Sequence, residues 1–199
     1  RTLRTALLLS TPEQPPQVIL VTSAQPQEGK TSTAMNLAVS LAQRGGDILL
    51  LDGDLRMPRI ARALEIDWPY GLSNILTGTH PAEQVIFQSP EVPNLYVLPS
   101  GPTPPNPAEL LGSESMARLL LALRSRFAHI IIDSPPILTI TDGTLLSVLA
   151  DGTVLVARGS VTTRESLRHA TNLLSKVGAK ILGVLLNGVV MVPFVMSVL

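Results

Sequence analysis

The chain contains no cysteine. Disulfides, thiolate metal sites and a thiol nucleophile are therefore excluded. Net charge is missing too, since fifteen basic residues balance fifteen acidic ones. Such a chain exerts no global pull on nucleic acid or on an anionic membrane. No apolar run approaches the roughly 20 residues of a membrane-spanning helix, and no signal-peptide pattern is visible. His80, His129 and His169 are far apart and share no metal-ligand spacing, so each is read as a core or surface histidine. Ser134 has no histidine to pair with and is not read as a nucleophile. Internal repeats and low-complexity tracts are absent.

What is present fits one domain with a full hydrophobic core, residues 1–199. Because it begins at Arg1 and closes on the apolar run 192–199, the chain is read as a piece of a longer polypeptide. Short apolar runs recur at residues 17–22, 47–51, 95–98, 129–132, 152–157 and 181–186. They are continuous rather than alternating, as expected of strands covered on both faces. Helix-periodic stretches lie between them, at 31–44, 113–126, 142–149 and 163–177. Asn106-Pro107-Ala108-Glu109 predicts a further helix start, with Asn106 as its cap. Alternation of this kind predicts an α/β fold with three layers, α/β/α, around a central and mainly parallel sheet.

Between the first strand and the first long helix lies Ala24-Gln25-Pro26-Gln27-Glu28-Gly29-Lys30-Thr31-Ser32. Strand, tight loop ending in Gly-Lys-Thr, helix is the context of a phosphate-binding P-loop. Its backbone N–H groups and the helix N-terminus attract an anion. Lys30 would reach the outer phosphates and the Thr31 hydroxyl would ligate Mg²⁺. Ala24 replaces the first glycine of the motif.

Two further strands run into carboxylates. Ile48-Leu49-Leu50-Leu51 leads to Asp52-Gly53-Asp54-Leu55-Arg56, and Ile130-Ile131-Ile132 leads to Asp133-Ser134-Pro135-Pro136. An aspartate after a strand often only caps a loop. Three of them beside a P-loop fit a magnesium nucleotide, which needs hard oxygen ligands and a group to orient an attacking hydroxyl.

The three segments together resemble the bacterial tyrosine kinases of the P-loop type, which serve exopolysaccharide and capsule export. They look like that family's Walker A, A′ and B motifs. Gly71-Leu72-Ser73-Asn74-Ile75-Leu76-Thr77-Gly78, Pro104-Pro105-Asn106-Pro107-Ala108-Glu109-Leu110-Leu111 and Leu182-Gly183-Val184-Leu185-Leu186-Asn187 look like its linking segments. The resemblance implies ATP and Mg²⁺ as cofactors. It implies Lys30, Asp52, Asp54 and Asp133 as catalytic residues. Residues Gln25, Pro26, Gln27, Glu28, Gly29, Lys30, Thr31, Ser32 and Asn187 would bind the nucleotide, Asn187 at its base. Thr31, Asp52, Asp54 and Asp133 would serve the metal. Arg1 and Arg4 look like the tail of a motif that builds a homo-oligomeric ring. A transmembrane polysaccharide co-polymerase, on a separate chain or before Arg1, would be the partner, and no nucleic acid. The location implied is cytoplasmic, at the inner face of the bacterial cell membrane.

Two departures stand out. Gln27 replaces a glycine of the family loop, and a positive φ there would cost roughly 1 kcal/mol of strain. The family's acceptor tyrosines form a cluster, whereas Tyr70 and Tyr96 are isolated within the body of the chain. Two other readings remain open: a non-catalytic assembly module that binds nucleotide weakly, and a positioning ATPase of the MinD/ParA type. The latter carries a second lysine where this chain has Gln25.

Overall fold

The computed structural model describes residues 2–8 and 15–188. Seven strands form one sheet: β1 Val18–Ser23, β2 Ile48–Asp52, β3 Phe87–Gln88, β4 Leu95–Leu98, β5 His129–Asp133, β6 Gly152–Arg158 and β7 Ile181–Asn187. Their order is β3-β4-β2-β5-β1-β6-β7. Every neighbouring pair is parallel except β3 with β4. The mainly parallel α/β/α sheet expected from the sequence is thus present. The strand at Phe87–Gln88 is an addition that the apolar pattern did not announce.

Both faces of the sheet are covered, which explains the continuous apolar runs. Val18 and Leu20 of β1 join one cluster with Leu49, Leu51, Ile130 and Ile132. Ile19 and Val21 point the other way, joining Ile48, Leu50 and Ile131. On the first face lie helices α4 Leu72–Leu76, α6 Pro107–Leu111, α7 Glu114–Arg124 and part of α8 Asp142–Leu149. The second face is covered by α1 Thr2–Leu8 and α2 Lys30–Ala42. Helix α9 Arg164–Lys176 adds Ala170 and Leu174 to a smaller cluster with Ala24, Ile137 and Leu155. Short helices α3 Ile60–Ala63 and α5 Ala82–Val85 complete the order.

Helix α6 starts where the sequence placed it, but its cap is built differently. The Asn106 side chain makes no bond to the helix backbone. Its Nδ2 donates to the Glu109 carboxylate at 3.0 Å instead. Helix α7 has the ordinary cap, with the Met116 N–H donating to Ser113 Oγ at 3.2 Å. Gly71 fits for a packing reason. A Cβ there would stand 1.9 Å from the Gly101 nitrogen and 2.4 Å from the Pro99 carbonyl oxygen.

Strand order decides where the chemistry sits. The register pairs Asp52 with Asp133 and Val21 with Asp133. The carboxyl ends of β2, β5 and β1 therefore lie side by side, at the edge where open parallel sheets bind ligands.

Candidate active site

The phosphate loop leaves β1 through Ala24, which is fully buried against Ile137 and Leu155. Its φ is not positive, so alanine meets no strain where the general motif has glycine. Gln27 does take a left-handed backbone, with φ of 64°, as the family's glycine would have done freely. Gly29 has φ of 94° and precedes Lys30, the first residue of α2. No side chain caps that helix. Its first N–H groups and positive dipole end are left for an anion.

The loop is held from outside by three tethers. Glu28 is buried, and its carboxylate accepts the Gln25 N–H at 2.8 Å and the Thr162 hydroxyl. Arg158 donates to the Gln27 carbonyl at 3.3 Å. Asn187 donates through Nδ2 to the Glu28 carbonyl at 3.1 Å. A Cβ on Gly29 would lie 2.0 Å from that same amide nitrogen. Glu28 thus belongs to the loop through its backbone, with its side chain turned inward. The Asn187 amide, expected at the base, gives one hydrogen bond to the loop.

The four groups expected at the metal divide. Asp52 is fully buried, and Oδ1 accepts the Asp54 N–H at 3.2 Å. Its Oδ2 accepts the N–H groups of Arg59 and Ile60 at 3.1 and 3.0 Å. Asp54 accepts the Met57 N–H at 2.9 Å. Asp133 is also buried, and its Oδ1 has no hydrogen-bond partner. The Thr31 side chain and the Lys30 charge both act to lower the proton affinity of Asp133, so they lie near its carboxylate. Among the described residues, no three His, Cys, Asp or Glu side chains converge as a metal cage. Thr31 offers a hydroxyl and Asp133 an open carboxylate oxygen. That suits a magnesium ion completed by phosphate oxygens and water, so the residues present fit Mg²⁺-nucleotide.

Burial dominates the electrostatics. Loss of solvent pushes Asp52 up to about 6, against the pull of its three backbone N–H donors. Asp133 is pushed up to about 7 by burial first and by the neighbouring Asp52 second, with Thr31 and Lys30 opposing. Two buried carboxylates beside one lysine await positive charge. A cavity of 370 Å³ opens over the phosphate loop, lined by Gln27, Gly29, Lys30, Thr31 and Ser32 with Met35, Arg59 and Ala63.

Comparison with known proteins agrees. A family described as "AAA domain" matches residues 17–182. The tyrosine-protein kinase YwqD of Bacillus subtilis is 40% identical over 94% of this chain and 79% of its own length. The chain belongs to the P-loop tyrosine-protein kinases. A putative tyrosine-protein kinase of Staphylococcus aureus, CapB, is 35% identical over 94% of this chain and 82% of its own. The solved kinase domain of Escherichia coli ETK superposes with a TM-score of 0.92, at 31% identity, over 96% of this chain and 74% of that one.

Other expected residues of this kinase domain fall elsewhere. Arg4, on α1, donates to the Ser40 carbonyl of α2 at 2.8 Å. Arg1 lies outside the described residues. Arg56 forms a two-point ion pair with buried Asp142, at 2.8 and 3.2 Å. Asp142 and Thr162 were missed from the sequence, because only folding brings them to the motifs. Tyr96 packs edge-on to Phe127 at 5.3 Å between ring centroids, and Tyr70 stacks on His80 at 3.8 Å. Ser134 bonds to the Val21 carbonyl at 3.3 Å and has no catalytic company.

Proposed function

We propose that the domain is an ATP-dependent protein-tyrosine kinase that regulates exopolysaccharide or capsule polymerisation and export. The observation that carries this reading is the open Asp133 oxygen beside Thr31 and Lys30, at an uncapped helix start. Lys30 and the loop N–H groups bind the outer phosphates of ATP, the donor substrate. Thr31 and Asp133 would hold Mg²⁺ there. When bound, the ion supplies positive charge that offsets the two buried carboxylates and the phosphates. Asp52, whose hold on a proton is strengthened by burial, accepts the proton of the acceptor tyrosine; Asp54 stands beside it. The tyrosine oxygen bonds to the terminal phosphorus as the bridging P–O bond breaks, and ADP leaves with that electron pair. Such transfer depends on positioning and electrostatics rather than on covalent help from the protein.

The domain works at the inner face of the bacterial membrane with a transmembrane co-polymerase, and as a homo-oligomer. No described helix is long and apolar enough to cross a membrane, so the membrane contact belongs to that partner or to another part of the polypeptide. The test is incubation with Mg-ATP and mass spectrometry for phosphotyrosine, with Lys30→Met as control. Unchanged Mg-ATP binding by Lys30→Met overturns the assignment of the loop.

A further inference from the structure

The chain is neutral as a whole, yet one cavity concentrates positive charge. Arg56, Arg59 and Arg62 line a space of 600 Å³ with Met57, Pro58 and Ala63, and no carboxylate lines it. Asp142 neutralises Arg56 from behind. The guanidinium groups of Arg59 and Arg62 form no ion pair among the described residues. Arg62 lies on α3 and Arg59 is the residue just before its start, and both side chains line this cavity. Arg59 and Ala63 also line the cavity over the phosphate loop. The two cavities therefore share a wall. Asp52 fixes their relation, because its Oδ2 holds the N–H groups of Arg59 and Ile60 at the start of α3.

We infer that this arginine groove docks the acidic flank of a tyrosine-bearing peptide and delivers its tyrosine toward Asp52. The inference rests on the kinase reading above and names the acceptor class. Guanidinium forks match carboxylates in two-point geometry. Met57, 66% exposed at the groove, offers an adaptable apolar surface for an aromatic ring. The groove is larger than one carboxylate needs and suits several residues of extended chain. Its ion pairs are solvent-exposed, so docking weakens as salt rises.

The test uses two fluorescein-labelled peptides, one with glutamates flanking a single tyrosine and one with glutamines in their place. Binding is read by fluorescence anisotropy in Mg-ADP, and phosphorylation by steady-state kinetics in Mg-ATP. Wild-type protein is expected to prefer the glutamate peptide about tenfold, since two charge-assisted pairs are at stake. Arg62→Glu should abolish the preference and Arg62→Lys should keep part of it. Mg-ADP affinity, read with a fluorescent nucleotide, should move less than about twofold in Arg62→Glu, because Arg62 stands outside the phosphate cavity. Equal binding of the two peptides by the wild type overturns the inference. So does a preference that survives Arg62→Glu, or a parallel loss of Mg-ADP affinity. Preferential binding through Arg62 without phosphorylation of either peptide sinks the kinase reading and leaves the groove standing. Phosphorylation of both peptides with equal kcat/KM does the reverse.

Discussion

Replacing Asp133 by asparagine should make the nucleotide-free domain more stable above neutral pH and inactive. Asp133 is pushed from 3.8 to about 7 by burial and by Asp52. A tenfold change in proton affinity is worth about 1.4 kcal/mol, so holding the ionised form at pH 8 costs the empty domain about 4 kcal/mol. Part of that cost is repulsion shared with Asp52, and the new amide must find an acceptor. A net gain of about 2 kcal/mol for Asp133→Asn at pH 8 is a fair expectation. The sign follows from proton counting. Between pH 4 and 7 the folded protein holds a proton that the unfolded chain has released. Wild-type stability is thus greatest below the unfolded value and falls as pH rises through about 7. Asp52, raised to about 6, adds a slope of the same sign. Urea unfolding by circular dichroism at pH 5, 6, 7 and 8, without nucleotide or Mg²⁺, measures both curves. Asp133→Asn should flatten the pH dependence. A wild-type curve that is level from pH 5 to 8, or a variant less stable than wild type at pH 8, refutes the reasoning. Phosphoryl transfer by the variant should fall by orders of magnitude, because the negative charge of the carboxylate near Thr31 and Lys30 is gone.

Two further perturbations probe the loop. Gln27→Gly relieves a left-handed strain of about 1 kcal/mol but adds about as much chain entropy to the unfolded state. Unfolding free energy should change by less than about 0.5 kcal/mol; a loss beyond about 1.5 kcal/mol means that the Gln27 side chain itself contributes. Gly29→Ala places a methyl group 2.0 Å from Asn187 Nδ2 at φ of 94°. It should cost roughly 2–3 kcal/mol in backbone strain and a lost hydrogen bond, together with most Mg-ADP affinity. In an Asn187→Ala background the same change should cost about 1 kcal/mol less. Strict additivity of the two substitutions in calorimetry and unfolding speaks against the clash.

The sheet was legible because its strands are covered on both faces. Doubly buried β1, β2 and β5 leave unbroken apolar runs, and their ends fell within one residue of the sequence reading. Strand β3 was not legible. Two residues, Phe87 and Gln88, carry too little pattern, and they pair only because β4 offers an open edge. The motif residues were found because chemistry restricts their type and spacing. Their partners were not, since Thr162 reaches Glu28 across 134 positions of sequence. Arg56 illustrates the same limit. Its partner Asp142 lies 86 positions further along the chain, and only folding sets the two together. Asn106 gave the right helix start for an incomplete reason, because its amide prefers the Glu109 carboxylate to the backbone.

Asn187 is the last residue of β7, and one amide joins it to the Glu28 carbonyl beside Gly29. Strand β7 pairs only with β6 among the described strands, and two of its side chains, Val184 and Leu186, are exposed. The carbonyl next to the phosphate-binding glycine is thus moored to the outermost strand of the sheet rather than to its centre, so the set of the loop depends on how that edge is placed.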